Sequence, residues 1–344
     1  MLLQAVLLLA SLLSLIIGLL VLSAVYGYLP ITIIILGTSI TAIYVYVKSL
    51  KPTRCRLEKD LNRLASVVPV DEYLRKDYAA TNVVQYYAST TFRDYKLLAA
   101  ATGSNAMHSC LKPARSLPYR CGHLKQLLYV IGQMGDAVSG GKVLEVGFGK
   151  GSNSMYLADL FPNAQFLGVD LVPDHVDYAT NYAQMRGLGN VRFAADDASN
   201  PSGTTKAAGP FDVIFGIESF CHVDTPERLA GFLRFAAKAL KPNGRLVIVD
   251  GYRSSNFDQQ PKEIQQAMML AESGFRIRTM TSKPAWRSLA TSTAGLTLLD
   301  DTDLTTEALA FWAKGWKLAH VLLACVPWLL RTYIASSAKH GETG

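Results

Sequence analysis

Glu145 precedes three glycines at alternate positions, Gly147, Gly149 and Gly151, and Asp170 follows the last of them by 19 residues. Further on, the acidic pair Asp196-Asp197 precedes Ala198, and Glu218 stands four residues before His222. Alternate glycines let the main chain turn where a Cβ would forbid it, and they let a bulky ligand lie against the backbone. An acid about twenty residues beyond such a loop is placed to accept hydrogen bonds from ribose hydroxyls. The spacing is Gly-x-Gly-x-Gly, whereas the dinucleotide fingerprint is Gly-x-Gly-x-x-Gly. A carboxylate at Glu145 would also repel a pyrophosphate. It suits a cationic amino-acid group, so the loop predicts S-adenosylmethionine rather than a nicotinamide dinucleotide.

These residues need a rigid scaffold. Val143, Leu144 and Val146 form a short apolar run that breaks into the glycines, which predicts a buried parallel strand turning tightly into a helix. Gly168-Val169-Asp170-Leu171, residues 191–198 and residues 211–218 read as further strands that end in acid. Lys241-Pro242-Asn243-Gly244-Arg245 predicts a turn into an apolar strand at 246–249. Residues 122–136 predict the first core helix, amphipathic through Leu124, Leu127, Leu128 and Ile131. The pattern is that of a doubly wound α/β sheet.

The glycine loop, the ribose acid, the adenine acid, the segment after the fourth strand and the Leu-Lys-Pro-x-Gly turn occur in that order over residues 141–252. Together they resemble the class I S-adenosylmethionine-dependent methyltransferases. The resemblance implies a Rossmann-like sheet in which Glu145 and the Gly147, Gly149 and Gly151 backbone hold the amino-acid end of the cofactor. It places Asp170 and Leu171 at the ribose. Asp197, with Asp196 as the alternative, and Ala198 go to the adenine. Ile217-Glu218-Ser219-Phe220-Cys221-His222 is similar to the Ile-Glu-Ala-x-x-His segment of sterol C-24 methyltransferases and their small-molecule relatives. Tyr86-Tyr87 is similar to the Tyr-Tyr element that those enzymes place over the cofactor.

Glu218, His222 and Tyr87 are thus the candidate catalytic groups. Histidine, with an ordinary pKa near 6.5, suits a general base for a hydroxyl or amine acceptor. If the acceptor is an alkene, methylation makes a carbocation. Aromatic faces at Tyr86, Tyr87, Phe220 and Trp286 would stabilise it, and Glu218 or His222 would take the proton. The sequence departs from the family at its end. Residues 296–300 predict a sixth strand, but nothing after residue 335 can form the seventh, antiparallel one.

Residues 1–47 contain no Asp, Glu, Lys, Arg or His. They satisfy the requirement of about 20 apolar residues per membrane-spanning helix twice over, which predicts a transmembrane hairpin of residues 2–25 and 29–47. Lys48, Lys51, Arg54, Arg56 and Lys59 follow, which places that side in the cytosol. A cleaved signal peptide would need a basic start and a shorter apolar core. The expected organisation is a hairpin over 1–50, a connector and helical lid over 51–121, a cofactor-binding core over 122–256, and over 257–344 a substrate lid, a late strand and an apolar C-terminal helix. Residues 311–335 carry Trp312, Trp316, Lys314, Lys317, His320 and Pro327, a mixture that favours a lid or interfacial helix over a third span.

The five cysteines lack paired spacing, so no disulfide framework or metal site is indicated. The net charge of +7 comes largely from the cluster after the hairpin, and it fits anionic lipid better than nucleic acid. The sequence therefore predicts a multi-pass membrane methyltransferase, in the endoplasmic reticulum if the host is eukaryotic. Its expected acceptor is a hydrophobic molecule dissolved in the bilayer, a sterol, triterpenoid or other isoprenoid. O- or N-methylation of a phospholipid headgroup, a prenylated quinol or another small molecule is the alternative. A scaffold that retains the fold is the non-enzyme alternative.

Overall fold

The computed structural model describes residues 45–75, 80–88, 105–112, 120–135, 139–223, 225–325 and 327. The chain divides into two compact units, Val70–Phe311 and a second made of Met1–Pro69 with Trp312–Gly344.

In chain order the helices are α1 (Arg54–Ala65), α2 (Val70–Arg75), α3 (Ala80–Ala88), α4 (Arg120–Met134), α5 (Ser152–Leu160), α6 (Pro173–Met185), α7 (Gly203–Ala208), α8 (Pro226–Ala239), α9 (Lys262–Gly274), α10 (Lys283–Ala294) and α11 (Thr305–Cys325). The strands are β1 (Lys142–Val146), β2 (Gln165–Asp170), β3 (Val191–Ala195), β4 (Phe211–Ile217) and β5 (Leu240–Val249). They form one parallel sheet in the order β3-β2-β1-β4-β5. Val143 pairs with Phe166 on one side and Val213 on the other.

Successive strand residues point to opposite faces, and both faces are buried. Val143, Val213 and Phe215 join α4 and α5 through Val130, Met134 and Leu157 in one core. Leu144 and Ile214 join α8 through Leu229, Phe232 and Leu233 in the other. That is the doubly wound arrangement, and it explains why the strands read as unbroken apolar runs. The order reverses between β1 and β4, so their carboxyl ends open onto the crevice where such sheets bind ligands.

Several expectations are corrected here. Residues 296–300 form no strand. They run as a loop pinned by Asp300, whose carboxylate accepts from Tyr129 Oη (2.9 Å) and Gln133 Nε2 (2.8 Å). The loop leaves Leu298 and Leu299 exposed. The turn at residues 241–244 does not precede β5 but lies within it: Phe211 pairs with Leu240 while Val213 pairs with Arg245. Trp286 is no cleft residue; it is buried beneath α8, edge-on to Phe220 at 5.7 Å between ring centroids. No helix among the described residues is long and apolar enough to cross a membrane. The expected hairpin lies outside the described residues apart from its last three, and so do residues 328–335 of the expected C-terminal helix.

In the smaller unit, His320 Nδ1 lies 2.8 and 2.9 Å from the two carboxylate oxygens of Asp60, and the Trp316 ring packs on the imidazole. The pair ties α1 to the end of α11.

Trp286→Ala should lower the unfolding free energy by about 3–5 kcal/mol in chemical denaturation. Leu299→Ala, at a side chain 75% exposed, should change it by no more than about 0.5 kcal/mol.

Candidate active site

The carboxyl ends of β1 to β4 and the turns that follow border an open cleft. Gly147, Gly149, Asp170, Leu171, Asp196, Asp197, Ala198, Glu218 and His222 all line it, with Tyr87 from α3 and residues 105–108 completing the wall. Glu145, Gly151 and Tyr86 do not line it. Tyr86 and Tyr87 are adjacent on a helix and so point about 100° apart. Only Tyr87 faces the cleft, while the Tyr86 ring lies 5.6 Å from the Arg276 guanidinium.

Glu145 is buried beneath the glycine loop. It accepts from Ser154 N (3.0 Å), Ser154 Oγ (2.5 Å) and Asn153 Nδ2 (3.0 Å), and so caps the first turn of α5. Burial, reinforced by the nearby Asp170 charge, raises its pKa to about 7. The residue that reaches the cleft is Asn153, which Glu145 holds. All three loop glycines have left-handed backbones. A Cβ on Gly147 would stand 2.4 Å from the Ser219 Cβ, so glycine is required there by the neighbouring strand end.

Asp170 accepts from Gly149 N (2.8 Å) and Val172 N (3.0 Å), and its Oδ1 lies 3.2 Å from His175 Nδ1. It joins the glycine loop to the start of α6 while still lining the cleft. The two acids after β3 divide their work. Asp196 is taken up by Ser202 N, Ser202 Oγ, Thr205 Oγ1 and Asp197 N at the start of α7. Asp197 accepts from Ser199 N (2.9 Å) and Oγ (2.6 Å) and pairs with Arg228 at 3.2 Å.

Glu218 departs from a free base. Its backbone is left-handed (φ 48°), and its carboxylate accepts from Ser109 N (2.9 Å), Ser109 Oγ and Gln126 Nε2 (2.8 Å). It clamps residues 105–112 onto the strand end. His222 stands differently, with Nε2 3.2 Å from Tyr87 Oη and the two rings edge-on at 5.5 Å. Asp250, at the end of β5, accepts from Phe220 N (2.7 Å) and Cys221 N (3.1 Å) and so fixes the short turn Phe220–His222. Burial and then the Glu218 charge raise its pKa to about 7.

Sequence spacing missed His108, His175, Gln126, Arg228 and Asp250. His108 reaches Asn153 Oδ1 at 3.4 Å and packs edge-on against His123. The His123 pKa falls to about 4, first through burial and then through His108. Only His175, five residues after Asp170, had a local signal, because that interval puts it on the first turn of the helix that follows the acid.

The family model described as a methyltransferase domain matches residues 137–295. The chain carries a class I S-adenosylmethionine-dependent methyltransferase domain. Phosphoethanolamine N-methyltransferase 1 of Triticum aestivum is 34% identical over 122 residues, 35% of this chain and 22% of that protein. Sterol 24-C-methyltransferase of Neurospora crassa is 28% identical over 142 residues, 41% of this chain and 36% of its own. The chain spans well under half the length of either relative. Geranyl diphosphate C-methyltransferase of Streptomyces coelicolor A3(2), solved with Mg2+, geranyl diphosphate and S-adenosyl-L-homocysteine, superposes with a TM-score of 0.57 at 16% identity, over 70% of this chain and 90% of that one. That likeness shows the fold.

The cleft of the methyltransferase domain fits the cofactor. Asp170 and Asp197 present carboxylate oxygens, which accept only, to the space the glycine loop leaves open. The loop backbone and Asn153 would hold the amino-acid end, Asp170 the ribose hydroxyls and Asp197 the adenine amine.

Glu145 and Asp250 would release their protons near 4.5 and 3.8 in an unfolded chain, and they do so near 7 in the fold. At these two sites the folded state binds more protons in between, so they lower stability as pH rises from about 4 to about 7, and His123, which loses its proton near 4 in the fold and near 6.5 in an unfolded chain, offsets part of that fall. The melting temperature of the protein should follow that course. Glu145→Gln and Asp250→Asn should each flatten the slope whatever their absolute stability.

Proposed function

We propose that the protein is a membrane-anchored methyltransferase whose catalytic domain faces the cytosol and C-methylates a hydrophobic, membrane-dissolved isoprenoid such as a sterol or triterpenoid. In a eukaryotic host the membrane is the endoplasmic reticulum. The observation that carries methyl transfer is the meeting of Asp170, Asp197, the glycine loop and the Tyr87–His222 pair in one cleft. The anchor is supported by the 47 uncharged residues and the basic cluster that follows them. The isoprenoid acceptor is supported by the sequence relative that methylates sterols, by the segment from Ile217 to His222, and by the apolar contribution of Val83, Met107, Val146 and Phe148 to the cleft wall.

Bound in the cleft, S-adenosylmethionine supplies an electrophilic methyl group whose transfer breaks the carbon–sulfur bond and leaves the electron pair on sulfur. The protein's part is placement. Glu218 and Asp250 hold the two walls, the Tyr87 ring faces the cation that forms on an alkene acceptor, and His222 Nε2 takes the proton that the cation then loses. A second reading is O-methylation, which the Tyr87–His222 hydrogen bond favours. There His222 removes the acceptor's hydroxyl proton as the oxygen attacks the methyl carbon. Both readings give His222 the same duty, so the product distinguishes them.

Membranes containing the protein, incubated with methyl-labelled cofactor and a total lipid extract, should label an isoprenoid on carbon. Label on a headgroup nitrogen would overturn the assignment. His222→Ala should reduce turnover by about 10²–10⁴-fold. Asp170→Ala should weaken S-adenosylhomocysteine binding by about tenfold or more in calorimetry, as expected for losing a charged hydrogen-bond partner.

A further inference from the structure

Arg228 occupies the first turn of α8, where its own N–H is capped by Thr225 Oγ1 at 3.2 Å. Among the described residues its guanidinium reaches Ser199, His222 and Asp197. Nε donates to Ser199 Oγ at 3.3 Å, Nη1 to the His222 carbonyl at 3.3 Å, and Nη2 to Asp197 Oδ2 at 3.2 Å. Ser199 in turn donates its backbone N–H and its hydroxyl to Asp197 Oδ1. One rigid, planar fork therefore ties together the turn after β3, the turn after β4 and the start of α8. Two of those turns bear on the cleft, one through Asp197 and the other through His222. The Arg228 side chain is 23% exposed and that of Asp197 37%. At that exposure, ion pairing alone contributes little, and the value of the contact lies in its geometry.

We propose that Arg228 is a positioning and specificity residue: it orients the Asp197 carboxylate toward the adenine amine and locks the turn carrying His222 to the same frame. This rests on the reading of Asp197 as the adenine acid. Arginine is required because one planar group must meet a carboxylate, a hydroxyl and a carbonyl at fixed angles. A lysine ammonium is a point charge on a flexible stem and cannot hold all three. An oriented carboxylate accepts from a 6-amino purine and repels the oxygen of a 6-oxo purine, so the device selects adenine. A residue that only stabilised the fold would not alter that choice.

The test is calorimetric titration of the full-length protein with S-adenosylhomocysteine and with its 6-oxo counterpart, S-inosylhomocysteine. The wild-type protein should prefer the adenine compound. Arg228→Lys, which keeps the charge, should weaken adenine-compound binding by about tenfold and shrink the preference several-fold. The double variant Asp197→Asn/Arg228→Lys should bind no more weakly than Asp197→Asn alone, since the two act as a unit. Losses that multiply, or an Arg228→Lys variant with the wild-type preference, would overturn the proposal. Ser199→Ala removes the hydroxyl shared by Arg228 and Asp197 without changing a charge, so it gives the same reading if Arg228→Lys unfolds. A reduced preference supports the proposal and an unchanged one overturns it. If the wild-type protein binds neither compound, the cofactor reading itself fails, and that result is distinct from either outcome for Arg228.

Discussion

A parallel sheet leaves unsatisfied amides wherever a strand turns into the next helix, and here each of the five strands meets that demand with a carboxylate at its carboxyl end. Glu145 caps α5, Asp170 joins the glycine loop to α6, and Asp196 and Asp197 hold the turn into α7. Glu218 fastens the segment before α4, and Asp250 fastens the turn after β4. Hydrogen bonds from backbone N–H to an ionised acceptor are among the stronger ones. Together these clamps tie the rim of the cleft to the turns behind it; Asn153 and Glu218, which reach the cleft, are held by Glu145 and by Ser109 and Gln126, which do not.

That division explains which acids face the ligand. Glu145 is buried beneath the loop and Asp250 stands behind the turn after β4, and desolvation has pushed both toward neutrality near pH 7. Groups so enclosed suit holding a turn better than meeting a ligand that must come and go. Asp170 and Asp197 line the cleft while accepting from the backbone of Gly149, Val172 and Ser199 and from the side chains of His175, Ser199 and Arg228. Glu218 also touches the cleft, with both oxygens engaged by Ser109 and Gln126. Of the predicted catalytic groups, His222 and Tyr87 are the pair whose functional atoms meet each other.

The sheet was legible in the sequence because five apolar runs of strand length follow one another, the first breaking into the glycines and the next three ending in acid, a pattern set by local chemistry. The acids' roles were less legible. A carboxylate that caps a helix and one that binds ribose look alike in one dimension, so Glu145 read as a ligand. The apolar run at 296–300 read as a strand because pattern carries no information about a hydrogen-bonding neighbour. Among the described residues no strand pairs with it, and Asp300 pins it to Tyr129 and Gln133 instead. Tyr86 and Trp286 were misplaced for a related reason, since composition says that an aromatic is present but not which way its helix turns it. His108 and Gln126 reach the site only through tertiary convergence, from segments far from the strand ends in the chain, and Arg228 meets Asp197 in the same way.

The acidic edge also bears on turnover. A sulfonium enters the cleft with a positive charge, and the thioether left behind has none at sulfur. Carboxylates at the rim attract the fresh reagent and lose part of that attraction once the methyl group has gone. The groups that hold the loops in place thus also bias exchange toward ejecting the spent molecule, without any moving part.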